Sequence, residues 1–410
     1  MARGMNDTQS IIVQLLRKHG SLTRDQIGQK LGLSAMGTSK PLLALSRSGL
    51  VTLGHKAQPG PGRPFQLVQL TEDGGYSLGL VVRPHDVQFA LVNFQNKVIR
   101  FESVPFCFRS EQTDFSRLLQ VARKMIKGLP RKALFTAGLS FSGQFEDETE
   151  HILVVNDFTS PGQAELFRRQ LSDTVGVPIT ILHDIDAILI AERWCNPDLP
   201  PNPNVLMVGE RLGVSVMMNG RLFTDKVPWP RWLGRVQVPD STAKSPGFLP
   251  GALVNTASFD SWINDLLNVP PEARPSTPRD PLDVEKLYQL WEQKDPRVQK
   301  LVKRGARDLA YVIRNLCLVF PFERIVCHGW VPDVLEFILN EIRAAFIEAE
   351  KIHIHQDTSP SPIVSASILG SQGYATGTAL GAIDRALEFK MAQRGRKYAD
   401  LLLKKDELSV

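Results

Sequence analysis

The sequence predicts an α/β protein in which a small N-terminal winged helix-turn-helix domain precedes a body of two similar lobes. Two observations support this fold class. Helical and strand patterns in helix-turn-helix order fill residues 8–70, and strands followed by crossing helices then occur twice in the rest of the 410 residues. We place the domains at 1–72, 73–200 and 201–410, and expect the C-terminal helix to return to the first lobe.

Composition indicates an ordinary globular protein. Hydrophobic residues make up 43% of the chain and charged residues 22%, which is typical of folded domains rather than of disorder. No apolar run reaches the length of a membrane span, and Met1–Ser10 lacks the apolar segment of a signal peptide. We therefore expect a cytoplasmic protein without membrane contact, whose four cysteines are buried reduced thiols.

Positive charge is concentrated at the N-terminal end. Residues 1–75 contain nine Lys and Arg against four Asp and Glu, and this excess equals the net charge of +5 of the whole chain. The remainder is therefore neutral overall. A basic head on a neutral body is typical of proteins that bind nucleic acid through the head.

The first three helices are predicted by apolar spacing and by capping residues. Thr8–His19 has an apolar face, and Thr23 is a favourable N-cap for a second helix over Arg24–Leu31. Ser34 caps a third helix over Ala35–Ser48. Two helices joined by a short turn predict a helix-turn-helix.

The third helix is the predicted recognition helix, because its N-terminal part meets base edges in such motifs. Gly37 and Pro41 both disfavour a helix, so we expect either a kink or regular turns that begin only near Ser39. Lys40 is the strongest candidate for a base or phosphate contact. The candidate contacts on this helix are Ser34, Met36, Thr38, Ser39, Lys40 and Arg47. The alternative is a helical packing domain without DNA contacts.

A Gly- and Pro-rich loop predicts the wing. It spans Gly54–Pro64 between the strand patterns Leu50–Leu53 and Phe65–Leu70. The thin, extended tip projects one arginine, which suits a narrow and negatively charged minor groove. The candidate contacts here are Gly62, Arg63 and Pro64. The alternative is an ordinary wing turn.

The body contains two series of strands and helices. The first series is predicted as strands Tyr76–Val82, Val87–Phe94 and Lys97–Phe101, helix Phe115–Leu129, strands Ala133–Phe141 and Ile179–Leu182, and helix Asp184–Trp194. After a linker at Pro197–Pro203, the second series has strands at Val205–Val208, Gly213–Met218, Arg221–Phe223 and Arg324–Cys327 and helices within Asp283–Val319, Val334–Ala349 and Thr376–Leu403.

Four body segments follow the order and spacing of one known family. They are Tyr76–Val98, the turn Gly138–Gly143, His183–Ala187 with Ala191-Glu192 after it, and Leu369–Ala379. Through these segments the chain resembles the ROK family of repressors and sugar kinases, and the resemblance covers nearly its full length. Members of this family share an actin-like, two-lobed ATPase fold. The head before the body is similar to the repressor branch, since the kinases lack such a head.

The resemblance also implies what the chain has lost. The family's kinases use the aspartate that matches Asp184 as the general base for phosphoryl transfer. Here Asp184 can equally accept a hydrogen bond from a sugar hydroxyl or sit at a helix N-terminus. The phosphate loops are replaced by Val81–His85 and Gly209–Gly213, and the second contains Glu210, which repels phosphate. We therefore expect no ATP binding, no catalytic residue, no enzyme activity and no cofactor.

The family's zinc motif is also missing. Trp232–Arg235 replaces its histidine segment, and Pro246–Ala257 replaces its cysteine cluster without containing a cysteine. A structural zinc ion needs four thiolate or imidazole ligands. We therefore expect no metal.

The resemblance places five residues in a ligand pocket between the body lobes: Asn156, His183, Asp184, Trp232 and Arg235. Trp232 offers a face for a sugar ring, and Arg235 offers a partner for a carboxylate or phosphate. An acidic or phosphorylated sugar is the expected ligand. The alternative is a degenerate pocket that binds nothing.

These inferences together predict a regulator that represses carbohydrate-utilisation genes until a sugar, sugar acid or sugar phosphate binds. The family precedent implies a homodimer or homotetramer on double-stranded DNA, with half-sites ~34–36 Å apart or a multiple of that spacing. Two alternatives remain: a sugar kinase with an added head, and a DNA-binding regulator that responds to no ligand.

Overall fold

The computed structural model describes most of the chain. The described residues are 5–56, 65–108, 110–130, 133–146, 149–200, 202–223, 231–239, 248–270, 273, 281–352 and 361–392. They divide into two compact units. One contains the residues up to 200 together with those from Gln372 onward, and the other contains the residues from Asn202 to Ser371.

The first unit begins with a helix-turn-helix and a small sheet. Its elements are α1 (Asp7–His19), β1 (Ser21–Thr23), α2 (Arg24–Leu31), α3 (Ala35–Arg47), β2 (Val51–Lys56) and β3 (Phe65–Leu70). The three strands are antiparallel in the order β1-β3-β2. Two adjoining helices followed by a β-hairpin form a winged helix-turn-helix, as predicted.

Side chains at the N-termini determine where the helices of this head begin. The hydroxyl of Thr23 accepts a hydrogen bond from the backbone N–H of Gln26 (3.1 Å), and the Gln26 amide oxygen accepts one from the N–H of Thr23 (2.8 Å). Ser34 accepts from the N–H of Gly37 (3.1 Å). A further cap at Asn6 starts α1. Helices α2 and α3 therefore begin where the sequence predicts.

Helix α3 continues through Pro41. The backbone N–H of Thr38 donates to the carbonyl of Ser34 (2.9 Å), so regular turns begin at Ala35 and the expected alternative start near Ser39 is wrong. The hydroxyls of Thr38 and Ser39 also donate to the carbonyls four residues earlier, at 3.0 and 2.7 Å. Hydroxyl bonds of this kind often bend a helix, and here they lie in the turn before Pro41, which itself removes a backbone donor.

The hydrophobic core of the head is shared with the body. Its fully buried members include Ile12, Leu16, Ile27, Leu42 and Leu45. The same cluster contains Phe94, Ile383 and Leu387, which lie outside the head in the sequence. The head is therefore packed onto the rest of the first unit through apolar side chains.

The first part of the body is a mixed five-stranded sheet. Its elements are β4 (Tyr76–Val82), β5 (Asp86–Asn93), β6 (Val98–Pro105), α4 (Ser116–Ile126), β7 (Leu134–Phe141), β8 (Gly143–Phe145), β9 (Ile152–Val155), α5 (Pro161–Val175), β10 (Ile179–His183) and α6 (Asp184–Cys195). The strand order is β10-β7-β4-β5-β6. Parallel strands β7 and β10 end side by side, with Phe141 opposite His183. The turns after these two strands therefore lie at the same edge of the sheet.

The second unit is built in the same way. Its elements are β11 (Val205–Gly209), β12 (Val214–Met218), β13 (Arg221–Leu222), α7 (Val254–Ala257), α8 (Phe259–Leu266), α9 (Pro281–Glu292), α10 (Pro296–Cys317), β14 (Arg324–His328), α11 (Pro332–Ile352) and β15 (Ile363–Ala366). The strand order is β13-β12-β11-β14-β15, with β11, β14 and β15 parallel. Among the helices described, none combines the length and hydropathy that crossing a bilayer requires.

The last helix, α12 (Gly373–Ala392), belongs to the first unit and packs on α6 and on β4 and β7. Two glycines make this packing possible. A Cβ atom on Gly79 would lie 2.1 Å from the carbonyl oxygen of Ala375, and one on Gly377 would lie 1.7 Å from that of Ala187. Only glycine permits backbones to approach this closely.

The four cysteines are free thiols. Cys327 is buried in the second unit, and the other three are half-buried. Burial raises the pKa of both Cys317 and Cys327 to about 12. These two thiols are therefore protonated and unreactive near neutral pH.

Candidate functional sites

Helix α3 presents an exposed face with apolar and basic side chains. Met36 is 84% exposed and Leu43 is 47% exposed. Lys40 and Arg47 are also exposed. Exposed large apolar side chains beside cations suit contacts with thymine methyl groups and with bases or phosphates. Of the residues predicted on this helix, Met36, Lys40 and Arg47 therefore have the required accessibility.

Thr38 is a correction to the predicted contact set. Its side chain is 1% exposed and packs against α2, where a Cβ atom on Gly28 would lie 3.0 Å from the Thr38 hydroxyl oxygen. The hydroxyl donates to the carbonyl of Ser34. Thr38 therefore holds the two helices of the motif together and does not face outward. The sequence did not indicate this burial, because a polar residue in an amphipathic helix is expected on the exposed face.

Ser34 and Ser39 are engaged within the motif. Ser34 is exposed, and its hydroxyl caps α3 through the N–H of Gly37. Ser39 is half-buried, and its hydroxyl accepts a hydrogen bond from the guanidinium of Arg24 (3.4 Å). Arg24 therefore lies beside α3, with its side chain 43% exposed. Sequence reasoning missed this cation, because it belongs to α2 and only the turn brings it to α3.

The predicted wing contacts Gly62, Arg63 and Pro64 lie outside the described residues. Strands β2 and β3 pair up to Lys56 and Phe65 on either side of that segment. The wing contacts stay a prediction.

The glycine-containing turn after β7 is fixed to the segment after β9. Asn156 is exposed, and its amide donates to the hydroxyl of Ser142 (2.9 Å). The neighbouring carboxylate of Asp157 is buried and accepts a hydrogen bond from the backbone N–H of Ser142 (3.0 Å). Asn156 thus has an accessible amide on a rigid support, which suits contact with a sugar hydroxyl. Asp157 is a supporting residue that the sequence did not single out.

His183 is a second correction. Its ring is stacked on Phe145, with ring centroids 3.9 Å apart and planes inclined by 12°, and only 3% of the residue is exposed. The His183 side chain is therefore packed in the interior, next to the turn after β7. The predicted polar contact of His183 with a ligand is not supported. The sequence could not show this, because Phe145 lies on a short hairpin strand that the hydrophobic pattern did not predict.

Asp184 is the first residue of α6. It is half-buried, and its carboxylate accepts a hydrogen bond from the backbone N–H of Ile185 (2.8 Å). A negative charge is stabilised at this end of a helix. Asp184 thus combines the helix-terminal role weighed above with a position at the edge where β7 and β10 end. The same carboxylate can accept a hydroxyl hydrogen bond there.

Trp232 and Arg235 belong to the second unit. The indole N–H of Trp232 donates to the carbonyl of Arg211 (2.8 Å), and its ring contacts that of Phe248 at 5.4 Å. Gly234 packs against the same indole, since a Cβ atom there would lie 2.5 Å from ring atoms. Trp232 is therefore anchored to the turn after β11 and is half-buried, whereas Arg235 is exposed.

Glu210 lies in the turn after β11, where the sequence resemblance predicts a replaced phosphate loop. The backbone N–H of Glu210 donates to the carbonyl of His328 (3.0 Å). The carboxyl group of Glu210 packs on Gly329, since a Cβ atom added to Gly329 would lie 2.8 Å from the carboxyl carbon. Burial of the Tyr288 side chain raises the pKa of its hydroxyl, and the negative charge of Glu210 nearby raises that pKa further. The carboxylate of Glu210 thus lies over the ends of parallel strands β11 and β14, where phosphates bind in α/β folds. A phosphate there would meet a negative charge.

In the turn after β4, where the resemblance predicts the other replaced phosphate loop, Arg83 makes two side-chain contacts. The guanidinium of Arg83 pairs with the carboxylate of Asp86 (3.6 Å) and lies 5.1 Å from the ring centre of Tyr374. The turn has no glycine through which backbone amides approach a phosphate closely. Within the described ranges, no group of three or more His, Cys, Asp or Glu side chains is arranged to hold a metal ion.

The fold is a winged helix-turn-helix domain followed by an α/β body that contains two five-stranded sheets. The ROK family model matches residues 78–384, and the chain belongs to the ROK family. Among curated proteins, the DNA-binding transcriptional dual regulator NagC of Escherichia coli K12 and the N-acetylglucosamine repressor of Shigella flexneri are each 21% identical over 344 residues. These alignments cover 81% of this chain and 82% of each relative.

Solved structures show the same fold. A ROK family transcriptional regulator, described as a homolog of the E. coli MLC protein, matches with a TM-score of 0.72 at 15% identity and covers 98% of this chain and 100% of its own. The ROK hexokinase of Thermus thermophilus matches with a TM-score of 0.56 at 17% identity, over 78% of this chain and 100% of its own. The regulator therefore matches almost the whole chain, whereas the hexokinase leaves about a fifth of it unmatched.

Proposed function

We propose that the chain is a sequence-specific DNA-binding transcriptional regulator that represses carbohydrate-utilisation genes and is relieved by a sugar or sugar derivative. One observation supports this most strongly. The exposed face of α3, with Met36, Lys40 and Arg47, lies on the domain that contains all of the excess positive charge. A recognition helix of this kind fits the major groove. The similarity to NagC, itself a transcriptional regulator, agrees with this proposal.

Replacing Lys40 with alanine is expected to weaken binding to all DNA sequences and to reduce the slope of log K against log salt concentration by about 1, because one phosphate contact is lost. Fluorescence anisotropy at several salt concentrations measures both effects. Lys300→Ala is the matched control, since Lys300 is an exposed lysine on α10 of the second unit. An unchanged slope together with unchanged affinity would show that Lys40 does not contact DNA and would contradict its proposed role.

The proposed minor-groove contact by Arg63 has a separate signature. Arg63→Ala should weaken binding mainly at A·T-rich wing positions, because a narrow groove concentrates negative potential. An equal loss on all sequences would instead indicate an ordinary phosphate contact. The two DNA-contacting elements can thus be tested independently on the same fragments.

For the effector, we propose that Asn156 and Asp184 contact sugar hydroxyls, and that Trp232 and Arg235 contact the ring and an acidic group. Asn156 and Arg235 are exposed, whereas Asp184 and Trp232 are half-buried. N-acetylglucosamine, glucose, gluconate and glucose 6-phosphate are suitable probes in a thermal-shift screen of the full chain. A stabilising shift that Asn156→Ala removes supports the proposal. The absence of any shift across the panel would favour a regulator that responds to no ligand.

The regulator is proposed to act as a homodimer or homotetramer on a pseudo-palindromic operator, because two heads then meet two half-sites ~34–36 Å apart or a multiple of that spacing. Changing the half-site spacing by half a helical turn should abolish the specific complex. Restoring a full turn should recover it.

A sugar kinase is the second candidate, and the similarity to the Thermus hexokinase fold is what favours it. Against it, the Glu210 carboxylate lies in the turn where phosphate would bind, and phosphoryl transfer depends on positioned phosphate contacts. We expect no sugar-dependent ATP turnover above background. Turnover that Asp184→Asn abolishes would establish the kinase.

A further inference from the structure

We infer that helix α6 connects the proposed sugar-binding edge to the DNA-binding head, through contacts among Trp194, Asp384 and Arg17. This inference rests on the proposed function and names how ligand occupancy reaches the head. We call these three side chains the joint network. Each belongs to a different helix of the first unit: α6, α12 and α1.

The centre of the joint network is a buried arginine from the head. The side chain of Arg17 is fully buried, and its guanidinium forms an ion pair with the carboxylate of Asp384. Its Nε and Nη2 atoms also donate to the amide oxygen of Asn96, at 3.3 and 3.0 Å. The guanidinium carbon lies 4.1 Å from the ring centre of Trp194. One head residue thus contacts three separate segments of the body.

Asp384 joins the head to α6 directly. One of its carboxylate oxygens pairs with Arg17, and the other accepts a hydrogen bond from the indole N–H of Trp194 (2.9 Å). The position of the Trp194 indole and the position of the Arg17 guanidinium are therefore set by the same carboxylate. Charge-assisted hydrogen bonds are strongly directional, so a displacement of Trp194 is transferred to Arg17.

The other end of α6 lies at the proposed sugar-binding edge. The helix begins at Asp184, and Trp194 is its penultimate residue. Twelve residues at 1.5 Å per residue span roughly 18 Å. The residues from Ile185 to Glu192 are all buried. Because the middle of α6 is packed on every side, the helix moves as one unit and does not bend. A displacement at Asp184 therefore reaches Trp194 at the other end of the helix.

The contact with α12 makes the movement of α6 affect Asp384 as well. The backbone of Ala187 touches that of Gly377, and Gly381 packs against side chains of Leu182 and Ile190. Two helices in backbone contact shift against each other as packed units, by small discrete steps. A shift of α6 therefore changes the register between Trp194 and Asp384.

A cavity beside the joint network gives room for such a shift. It has a volume of about 350 Å³ and is lined by residues of α1, of the end of α6 and of the segment that follows, including Arg17, Arg193, Trp194 and Cys195. Densely packed interiors do not permit a large side chain to move. The indole of Trp194 lies at the boundary of this cavity and can change position without displacing the core.

The inference predicts that the network controls the effect of the sugar on DNA binding without contacting either ligand. In the full-length chain, the sugar probe that gives the largest thermal shift should change the operator Kd by at least about fivefold. Trp194→Phe keeps an aromatic ring at this position but removes the indole N–H that donates to Asp384. In this variant, each ligand alone should bind within about twofold of the wild type, but the sugar should change the operator Kd by less than about twofold.

Two further measurements make the test decisive. Asp384→Asn should uncouple the sites like Trp194→Phe and should also lower stability, because it leaves the buried charge of Arg17 uncompensated. Trp291→Phe, the same substitution beside Phe337 in the second unit, should retain full coupling. Hydrogen exchange gives a readout that does not use DNA: sugar should alter the protection of α1 in the wild type and not in Trp194→Phe. Equal sugar responses in the wild type and both network variants would overturn the inference. A panel in which no probe binds the wild type would refute the sugar proposal itself, and the coupling with it.

Discussion

Replacing Gly377 with alanine is expected to lower the free energy of unfolding by about 3 kcal/mol or more, beyond the usual 1–3 kcal/mol of overpacking. The added Cβ atom would lie 1.7 Å from the carbonyl oxygen of Ala187, whereas real Cβ atoms essentially never come within 3.0 Å of another heavy atom. The carbonyl belongs to the backbone and the position of a Cβ atom is fixed by its own backbone, so a side-chain rotation cannot relieve the clash. Helices α6 and α12 must separate, and the packing of α12 on the sheet is weakened with them.

Gly370→Ala is the matched control, because it lies in the same C-terminal segment and a Cβ atom there has no neighbour within 4 Å. Urea unfolding followed by circular dichroism measures both variants. We expect the control to match the wild type. A Gly377→Ala protein as stable as the control would show that α6 and α12 are not in backbone contact.

Replacing Arg17 with methionine is expected to destabilise the first unit by about 3–5 kcal/mol, because removing one partner of a buried ion pair leaves the other charge uncompensated. The methionine fills much of the space of the arginine stem but cannot pair with Asp384 or donate to Asn96. The guanidinium contact with Trp194 is lost as well. The loss should appear as an earlier unfolding transition and as faster hydrogen exchange in α1.

Lys97→Met provides the comparison for this substitution. Lys97 also forms an ion pair, with Glu72 at 2.8 Å, but both side chains are more than half exposed. Exposed pairs contribute little to stability because water screens them. We expect no measurable change for Lys97→Met. If Arg17→Met likewise left the free energy of unfolding unchanged, the buried pair would not be what holds the head to the body.

The local structure of the head could be predicted from the sequence because it depends on nearest neighbours. Thr23 and Ser34 cap α2 and α3 through residues three positions later, and both helices begin where these caps place them. The three-residue strand β1 was not predicted, because Ser21–Thr23 is too short to show alternation and forms only through pairing with β3. The sequence predicted helical segments over Asp283–Val319 but not the point at which they divide, which is the interval Gln293–Asp295 between α9 and α10.

The candidate sites depend on longer-range contacts and were predicted less completely. The exposure of Met36 and Lys40 follows from helical spacing, but the burial of Thr38 depends on the approach of Gly28 from another helix. The contact of Arg17 with Asp384 joins residues 367 positions apart. No local pattern indicates such a pair. The resemblance to a known family located the turns, while only the packing shows that His183 is stacked and that Glu210 lies over Gly329.

The most direct test of DNA-binding function is a gel shift of the full-length chain on the region upstream of its own gene, with unrelated DNA as competitor. We predict a specific complex at moderate salt that survives a large excess of competitor, because specific sites bind typically 10³-fold or more tightly than other DNA. Lys40→Ala should weaken this complex. A chain that binds the upstream region no better than unrelated sequences, or that binds neither, would contradict the proposed role as a sequence-specific regulator.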